Sequence, residues 1–460
     1  MTGKQITRRG FVGAVGTVAG AATLGVGVRA SASASASAVS PQERVRLGLI
    51  GAGSRGNQLL TDFLRREEVE FVAVADVDDN HAGQTAERIA KEKGGQRPDT
   101  MRDYRQMLDR DELDAVVIGT PDHWHAHPTI HACQAGKDVY VEKPLAHNVA
   151  EGRAMVNAAR KYGRVVQVGT QQRSSENFRK AAEAVRSGKI GKVHWVQTWN
   201  FENISPLGMG PVENTEPPPH VDYDMWLGPA AKVPFNVHRF HLLFRWYFDY
   251  AGGMMSDWGV HLNDIVLWAL DVKGPSAVAT TGGIWTVKDD RDTPDTMQVV
   301  YQFPDDCVLT YSMRKGNGYP LDGKGYGIQF HGTDGTLFLD RAGHRIIPDR
   351  LAEPYGIQSV KGKMETRTID LEPESFEAQG DGTPEHIADF LNCVKTRETP
   401  ICDVERIHHS TNTTHLGNIS YLLGGRKLVW DVESETFPND PQANRLLTRE
   451  YRQGYELPAI

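Results

Sequence analysis

The chain has 460 residues, 39% of them hydrophobic and 24% charged, and a formal net charge of −8. This composition is that of a globular protein with room for two domains, and it excludes a largely disordered chain. The acidic balance, with no long basic run after Arg9, argues against nucleic acid or an anionic membrane surface as a partner and favours a small neutral ligand.

The first forty residues have the features of an export signal. Thr7-Arg8-Arg9-Gly10-Phe11-Val12 precedes a weakly apolar stretch at 11–28, and an Ala/Ser run at 30–38 offers small-x-small cleavage sites. The apolar stretch is short and Gly-rich, so we expect no membrane span in the mature protein. Residues 1–40 are therefore predicted to be a twin-arginine signal and linker that engages the twin-arginine export machinery, giving a periplasmic or secreted protein.

From Val45 onward, short apolar strands alternate with amphipathic helices, the pattern of βαβ units in a parallel sheet. The predicted strands are residues 45–50, 70–76, 114–120, 139–141 and 165–169, and the helices between them are 57–66, 79–93, 124–135 and 149–162. We therefore predict an α/β domain over residues 41–170, a Rossmann-type doubly wound parallel sheet.

After Gln171 the pattern changes to longer β-rich segments. These are residues 192–201, 277–287, 296–314 and 325–340, with turns at 303–306 and 332–335, and helical patterns follow at 385–397 and 404–422. This predicts an α+β second domain over 171–430, an open, mostly antiparallel sheet with helices, and a tail over 431–460. The four cysteines are too scattered for a disulfide scaffold, although Cys393 and Cys402 are a pair that export would allow to oxidise.

A glycine-rich loop follows the first predicted strand. Gly51, Gly53 and Gly56 enclose Ser54 and Arg55 and open a helix, whose N-terminal N–H groups suit a pyrophosphate. Asp76 closes the next strand about 20 residues later, where a carboxylate accepts both ribose hydroxyls and repels a 2′-phosphate. The loop thus predicts NAD rather than NADP, the alternative being a glycine-rich turn beside an ordinary strand-end aspartate.

Glu142-Lys143-Pro144 ends another strand of the same domain, on the carboxyl edge where ligands of parallel sheets bind. A lysine there, beside a nicotinamide, is suited to sharing a proton with a substrate hydroxyl. A solvated lysine in a turn is the alternative interpretation.

Asp257 and His261 lie four residues apart ahead of an apolar helix, a spacing that stacks them on one helix face, with Asp264 close to the same face. A carboxylate that orients an imidazole is the arrangement of a general base. The alternatives are a helix-capping aspartate with a core histidine, or a metal site.

Histidines are dense in two places. They are His123, His125, His127 and His131 on one segment and His238 and His241 on another. Alternate spacing on one loop does not build a closed tetrahedral zinc site, so we predict no metal.

A third group precedes Asp257: Trp226, Arg245, Trp246, Tyr247, Asp249 and Tyr250. Rings that stack on sugar C–H faces and charged groups that bind hydroxyls have this composition, and so does a buried domain interface.

Taken together, the motifs resemble the Gfo/Idh/MocA family over essentially the whole mature chain. The resemblance rests on the glycine loop, Thr120-Pro121-Asp122-His123-Trp124-His125, Glu142-Lys143-Pro144, Asp257 with His261, and Gly332-Thr333-Asp334-Gly335-Thr336-Leu337. It implies that Lys143, Asp257 and His261 form a catalytic group beside the nicotinamide, and that Thr120, Pro121, His125 and Glu142 belong to the cofactor cleft. It also implies a homo-oligomer formed through the exposed face of the second sheet.

The resulting prediction is an NAD-dependent oxidoreductase that acts on a hydroxyl of a sugar or cyclitol. Because the compartment outside the inner membrane has no ready NAD pool, we expect the cofactor to be retained and recycled. One alternative is a glycosidase or lyase that oxidises a glycoside transiently. Another is a non-catalytic sugar-binding protein.

Overall fold

The computed structural model describes residues 44–351 and 368–460, so the predicted export signal lies outside the described residues. The first sheet contains β1 (Val45–Ile50), β2 (Val69–Ala75), β3 (Asp99–Met101), β4 (Ala115–Ile118), β5 (Asp138–Val141) and β6 (Val166–Val168). The helices that connect these strands are α1 (Ser54–Leu64), α2 (Asp79–Lys93), α3 (Arg105–Leu108), α4 (Ala126–Gln134) and α5 (Val149–Tyr162).

The first sheet is parallel throughout, with strand order β3-β2-β1-β4-β5-β6. This is the order of dinucleotide-binding folds, and it confirms the predicted doubly wound architecture. Strands β4 and β5 are buried along their whole length because helices cover both faces of the sheet. The sequence reading missed β3, which is a polar, three-residue edge strand.

The second sheet has nine strands in the described residues: β7 (Val193–Phe201), β8 (Ala277–Gly283), β9 (Thr296–Phe303), β10 (Cys307–Arg314), β11 (Tyr326–Gly332), β12 (Gly335–Asp340), β13 (Gly343–Pro348), β14 (Glu374–Glu377) and β15 (Leu428–Val429). Strands β7 and β10 pair in parallel, and the other pairs are antiparallel, as predicted. The predicted turns at 303–306 and 332–335 connect the β9–β10 and β11–β12 hairpins.

The helices of this second part are α6 (Glu176–Arg186), α7 (Tyr223–Leu227), α8 (Gly253–Asp257), α9 (Gly259–Leu270), α10 (Thr383–Thr396), α11 (Val404–Leu422) and α12 (Pro441–Asn444). Strand β10 alternates buried and partly exposed residues, so one face of the sheet packs on the core. Helix α9 is buried on nearly all sides. Among the described residues, no helix combines the length and apolar character needed to cross a membrane.

Helices α10 and α11 complete the core around the first sheet from far along the chain. Phe390 and Cys393 share an apolar cluster with Leu47, whereas Cys402 belongs to a separate cluster. The Cys393–Cys402 disulfide that the sequence leaves open is not formed in this structure, because both thiols are free and buried, each within its own cluster.

Candidate active site

A cavity of about 660 Å³ lies where the strands of the first sheet end. Because parallel strands place their carboxyl ends on one edge, residues that follow β1, β2, β4 and β5 meet there. The predicted site residues that line it are Gly51, Gly53, Ser54, Arg55, Asp76, Thr120, Pro121, Glu142, Lys143, Trp226, Arg245, Asp257 and His261.

Five predicted site residues do not line the cavity: Gly56, His125, Trp246, Tyr247 and Tyr250. The three aromatic side chains are buried, and Tyr250 packs on the ring of Trp226. For these three, the buried-interface alternative holds, and only Trp226 and Arg245 remain candidates for substrate contact.

The glycine loop forms one end of the cavity. Gly51 has φ +86°, and a Cβ there would lie 2.7 Å from the backbone nitrogen of Thr120. A Cβ on Gly56 would lie 1.9 Å from the carbonyl oxygen of Gly51, so Gly56 acts by close packing of α1 on the loop. Helix α1 begins at Ser54 and has no side-chain cap on its first N–H groups. Those free donors fit the pyrophosphate of a dinucleotide.

Asp76 lies directly after β2 and also lines the cavity. Its Oδ2 accepts from the N–H of Ala52 at 2.6 Å, and its Oδ1 accepts from the N–H of Asp78 at 2.9 Å. Burial raises the pKa of Asp76, whereas the two N–H donors oppose that rise. A carboxylate has about four lone-pair sites, so Asp76 orders the glycine loop and keeps acceptor capacity for a ribose.

Glu142 and Arg55 form a pair in the middle of the cavity wall. The Glu142 carboxylate is buried and accepts from Arg55 Nε at 2.8 Å. Glu142 therefore holds Arg55 in place across the cleft.

Lys143 and Asp257 come together across the two sheets. Lys143 Nζ donates to Asp257 Oδ1 at 2.7 Å and to the Asp257 carbonyl oxygen at 2.8 Å, while Arg245 Nη1 donates to Asp257 Oδ2 at 2.8 Å. Burial alone would raise the pKa of Asp257, but the two cations hold it well below its usual range. Asp257 is thus an ionised anchor for both cations.

The Asp257 carboxylate accepts from Lys143 and Arg245, and among the described residues no hydrogen bond joins it to His261. The chain forms two helices, α8 and α9, which are separated at Trp258. The N–H of His261 donates to the Trp258 carbonyl at 3.1 Å, and the Asp257 carbonyl accepts from Lys143 instead. Asp257 therefore positions Lys143 and does not orient His261. Asp264 is also outside the site, because its buried carboxylate pairs with Arg173 at 2.6 Å.

His261 lines the same cavity as Lys143. Burial and the neighbouring Lys143 cation lower the pKa of His261 well below its ordinary value, so the imidazole is neutral at neutral pH. Its Nδ1 is buried and has no hydrogen-bond partner in the described part of the chain. A neutral imidazole in a cavity beside a lysine is able to accept a proton from a bound hydroxyl.

Asp122 also lines the cavity, although the sequence pattern did not single it out as a site residue. Burial raises its pKa to about 8 against the opposing effect of Lys143, and the negative charge of Asp257 adds to the rise. Asp122 is therefore a protonated acid at neutral pH. The feature of the sequence that could have identified Asp122 is its position after β4, on the same edge of the sheet as Lys143.

Other missed lining residues include Arg102, Gln171 and Arg341. Arg102 follows the edge strand β3, and its Nε donates to Asp79 at 2.7 Å. The guanidinium of Arg341 lies 5.1 Å from the ring of Trp258, and its Nε is buried without a hydrogen-bond partner among the described residues. The sequence did not predict Arg102 and Arg341 as site residues, because nothing near them in the chain shows that the strands before them end at the cavity.

His125 lies behind the cavity wall. Its ring nitrogens lie 2.7 Å from the Pro144 carbonyl oxygen and 3.0 Å from the Thr120 carbonyl oxygen. These contacts join the segments that follow β4 and β5, so His125 positions Thr120 and Lys143 instead of contacting a cofactor.

The histidine-rich segment is likewise structural. His123 contacts the Trp226 carbonyl oxygen at 3.0 Å, and His127 contacts the Tyr455 carbonyl oxygen at 2.9 Å. His131 pairs with the Tyr104 hydroxyl at 2.9 Å.

Comparisons with known proteins agree with this geometry. Residues 45–170 match a family described as an oxidoreductase family with an NAD-binding Rossmann fold, and residues 184–339 and 362–457 match its C-terminal alpha/beta domain. The chain is 38% identical over 123 residues to the alpha-N-acetylgalactosaminidase of Shewanella oneidensis, covering 25% of this chain and 26% of that protein. It is 33% identical over 160 residues to the inositol 2-dehydrogenase of Rubrobacter xylanophilus, covering 34% and 44%.

A solved structure shares the fold over most of the chain. It is the WlbA dehydrogenase from Bordetella pertussis in complex with NADH and UDP-GlcNAcA, with a TM-score of 0.59, 19% identity, and coverage of 84% of this chain and 99% of that one. The chain spans less than half the length of the two curated relatives, but the family match covers most of its own length. The chain therefore belongs to the Gfo/Idh/MocA family of NAD-binding oxidoreductases.

Proposed function

We propose that this protein is an NAD-dependent oxidoreductase that acts on a hydroxyl group of a sugar or cyclitol. The observation that carries the proposal is the presence of Lys143, His261 and the glycine loop on the walls of one cavity. The loop, Asp76 and the free N-terminus of α1 would hold the dinucleotide. When bound, NAD supplies the hydride acceptor for the carbon that carries the hydroxyl.

The side chains account for the proton that must leave the substrate. Lys143 Nζ, which is held by Asp257, polarises the substrate oxygen, and neutral His261 accepts the hydroxyl proton as the carbonyl forms. Asp257 keeps its charge throughout because two cations face it. Trp226 and Arg245 line the cavity, where they would contact the carbohydrate ring and its hydroxyls.

The test is a reaction on the cofactor that the purified protein carries. Candidate sugars and cyclitols are added to the protein without free NAD, and the near-ultraviolet absorbance of reduced nicotinamide is followed. We expect one or more of them to reduce the bound cofactor, and His261→Ala to keep the cofactor but lose the signal. A wild-type protein that binds NAD and oxidises none of a broad panel of carbohydrates would refute the proposal.

A second candidate is cleavage of a glycoside through transient oxidation, which the similarity to an alpha-N-acetylgalactosaminidase favours. In that reaction a carbonyl forms on the sugar, a base removes the proton beside it, and the glycosidic C–O bond breaks. The leaving oxygen needs a proton, and Asp122 is a protonated acid in the same cavity. Water addition and return of the hydride would complete a redox-neutral cycle. Release of a free aglycone with no net change in NAD would identify this activity.

We also propose that residues 1–40 direct twin-arginine export and that the cofactor travels with the folded protein. The paired arginines Arg8 and Arg9 and the small-residue run support this. We expect an Arg8→Lys/Arg9→Lys variant to stay in the cytoplasm and the wild type to reach the exported fraction with NAD or NADH bound, as measured by native mass spectrometry. An exported protein that is empty, and active only with NAD in stoichiometric excess, would contradict retention.

The outer face of the second sheet supports a homo-oligomer. Trp195, Val300 and Ile347 lie on it with 37%, 42% and 46% of their surface exposed. Apolar side chains on an open sheet face are suited to pairing with a second copy. Sedimentation or light scattering would test this, and a Trp195→Glu variant is expected to shift the mass toward the monomer.

A further inference from the structure

A cluster of metal-ligating side chains lies beside the ribose end of the cavity. Asp78, His81 and His241 each place a ligand atom within 4.8 Å of those of the other two. Asp78 caps α2, His81 lies in the first turn of α2, and His241 begins the short helical turn that carries Arg245. The cluster therefore joins the first domain to the segment that crosses the cavity.

The two carboxylate oxygens of Asp78 make different contacts. Oδ1 accepts from the N–H of Asn80 at 2.9 Å and caps the helix, while Oδ2 lies 3.1 Å from Nε2 of His241. The side chain is buried. A carboxylate with one oxygen fixed by the backbone and the other aimed at an imidazole is a preorganised monodentate ligand.

The imidazole rings of His81 and His241 pack against each other. The ring centroids of His81 and His241 are 4.4 Å apart, and Nδ1 of His81 is buried without a hydrogen-bond partner among the described residues. His241 has φ +48°, a conformation that is uncommon for a residue with a side chain, and it brings the ring to Asp78.

We propose that Asp78, His81 and His241 bind one divalent transition-metal ion of the zinc type. Two imidazole nitrogens and a carboxylate oxygen are a common ligand set for such an ion, and they leave a fourth position open. The proposal departs from the sequence-based expectation of no metal, because the ligands come from segments 163 residues apart.

The ion has a structural consequence for the cavity. It would hold the segment from His241 to Arg245 against the start of α2, where Nδ1 of His81 is 3.9 Å from Oδ2 of Asp76. His81, His241 and Asp76 all line the cavity. By joining these segments, the ion would lower the rate at which the cofactor leaves the ribose end of the cavity, a consequence that rests on the proposed function.

The experiment uses the full protein without a polyhistidine tag. After treatment with chelator, it is titrated with Zn²⁺, and bound metal is measured by calorimetry and elemental mass spectrometry. We expect one Zn²⁺ per chain and a rise in unfolding temperature on binding. His241→Ala and Asp78→Asn are expected to abolish both, and Asn in place of Asp78 preserves the helix cap. His194→Ala, which removes an exposed histidine of the second sheet, is the matched control and should bind as the wild type does.

Three outcomes would overturn the metal site: no Zn²⁺ bound at micromolar concentration, binding that survives in both variants, or binding lost equally in His194→Ala. Substitution with Co²⁺ gives an independent readout, since its visible spectrum reports nitrogen and oxygen ligands in the wild type and should vanish in His241→Ala. The effect of the ion on cofactor release is tested separately by the dissociation rate of NAD. Chelator should increase that rate in the wild type and leave it unchanged in His241→Ala. If NAD does not bind at all, the proposed function fails while the Zn²⁺ measurement still decides the site.

Discussion

Replacing Lys143 with methionine tests whether the lysine cation polarises the substrate oxygen. The variant keeps a long side chain but removes the cation that Asp257 accepts from at 2.7 Å. Loss of one donor that polarises the reacting oxygen lowers turnover by about 10²–10³-fold. At about 1.36 kcal/mol per tenfold, this equals about 3–4 kcal/mol in activation free energy.

The free energy of unfolding should change less than the activation free energy. A buried carboxylate left without a partner costs about 3–5 kcal/mol. Asp257 keeps Arg245 at 2.8 Å in this variant, so we expect a loss of only about 1–2 kcal/mol. Cofactor binding should be unaffected, because the glycine loop and Asp76 are intact.

The assay is single-turnover reduction of bound NAD by a carbohydrate that the wild type oxidises, after native mass spectrometry has shown equal cofactor content. Arg245→Met is the matched control, since it removes the other cation from the same carboxylate. We expect it to lower the rate less than Lys143→Met does. The reasoning is refuted if Lys143→Met reacts within tenfold of the wild type, or if both variants lose the same amount.

Three further predictions concern other buried groups. Asp76→Ser should weaken NAD binding and relax discrimination against NADP, as measured by calorimetry, because it removes the carboxylate that orders the glycine loop and repels a 2′-phosphate, while Arg102 stays ion-paired with Asp79. Equal binding of NAD and NADP by the wild type would contradict this. Burial raises the pKa of Asp122 to about 8, so if its proton is needed, the wild-type rate should fall above pH 8 and Asp122→Asn should lack that limb of the pH–rate profile. Burial lowers the pKa of His415 to about 4. Between about pH 4 and pH 6.5, the unfolded chain therefore binds more protons than the folded chain. The free energy of unfolding should fall as the pH drops through this window. Between pH 7 and pH 5 the wild type should therefore lose about 2 kcal/mol more than His415→Gln in urea unfolding, and equal losses would show that His415 is not the titrating group.

The sequence predicted a helix or strand correctly where the segment itself has the periodicity of that element. The periodicity of residues 45–50, 79–93, 149–162 and 404–422 predicted elements that the structure has with the same bounds. Strand β3 and strand β14 were missed because both are short, polar and at a sheet edge. Helix α1 begins at Ser54, three residues earlier than predicted, since Gly56 packs inside the helix instead of preceding it.

The sequence by itself determined the dinucleotide fold and the strand-end positions of Gly51, Asp76 and Lys143, because alternating apolar strands and helices force those residues onto one edge of a parallel sheet. Only the tertiary structure decided how the charges pair. Asp257 pairs with Lys143 and Arg245, and its carbonyl oxygen, at the end of α8, accepts from the same lysine 114 residues away. Spacing rules describe one element at a time, whereas ion pairs, burial and the pKa of a carboxyl depend on which distant segments the fold brings within a few ångströms.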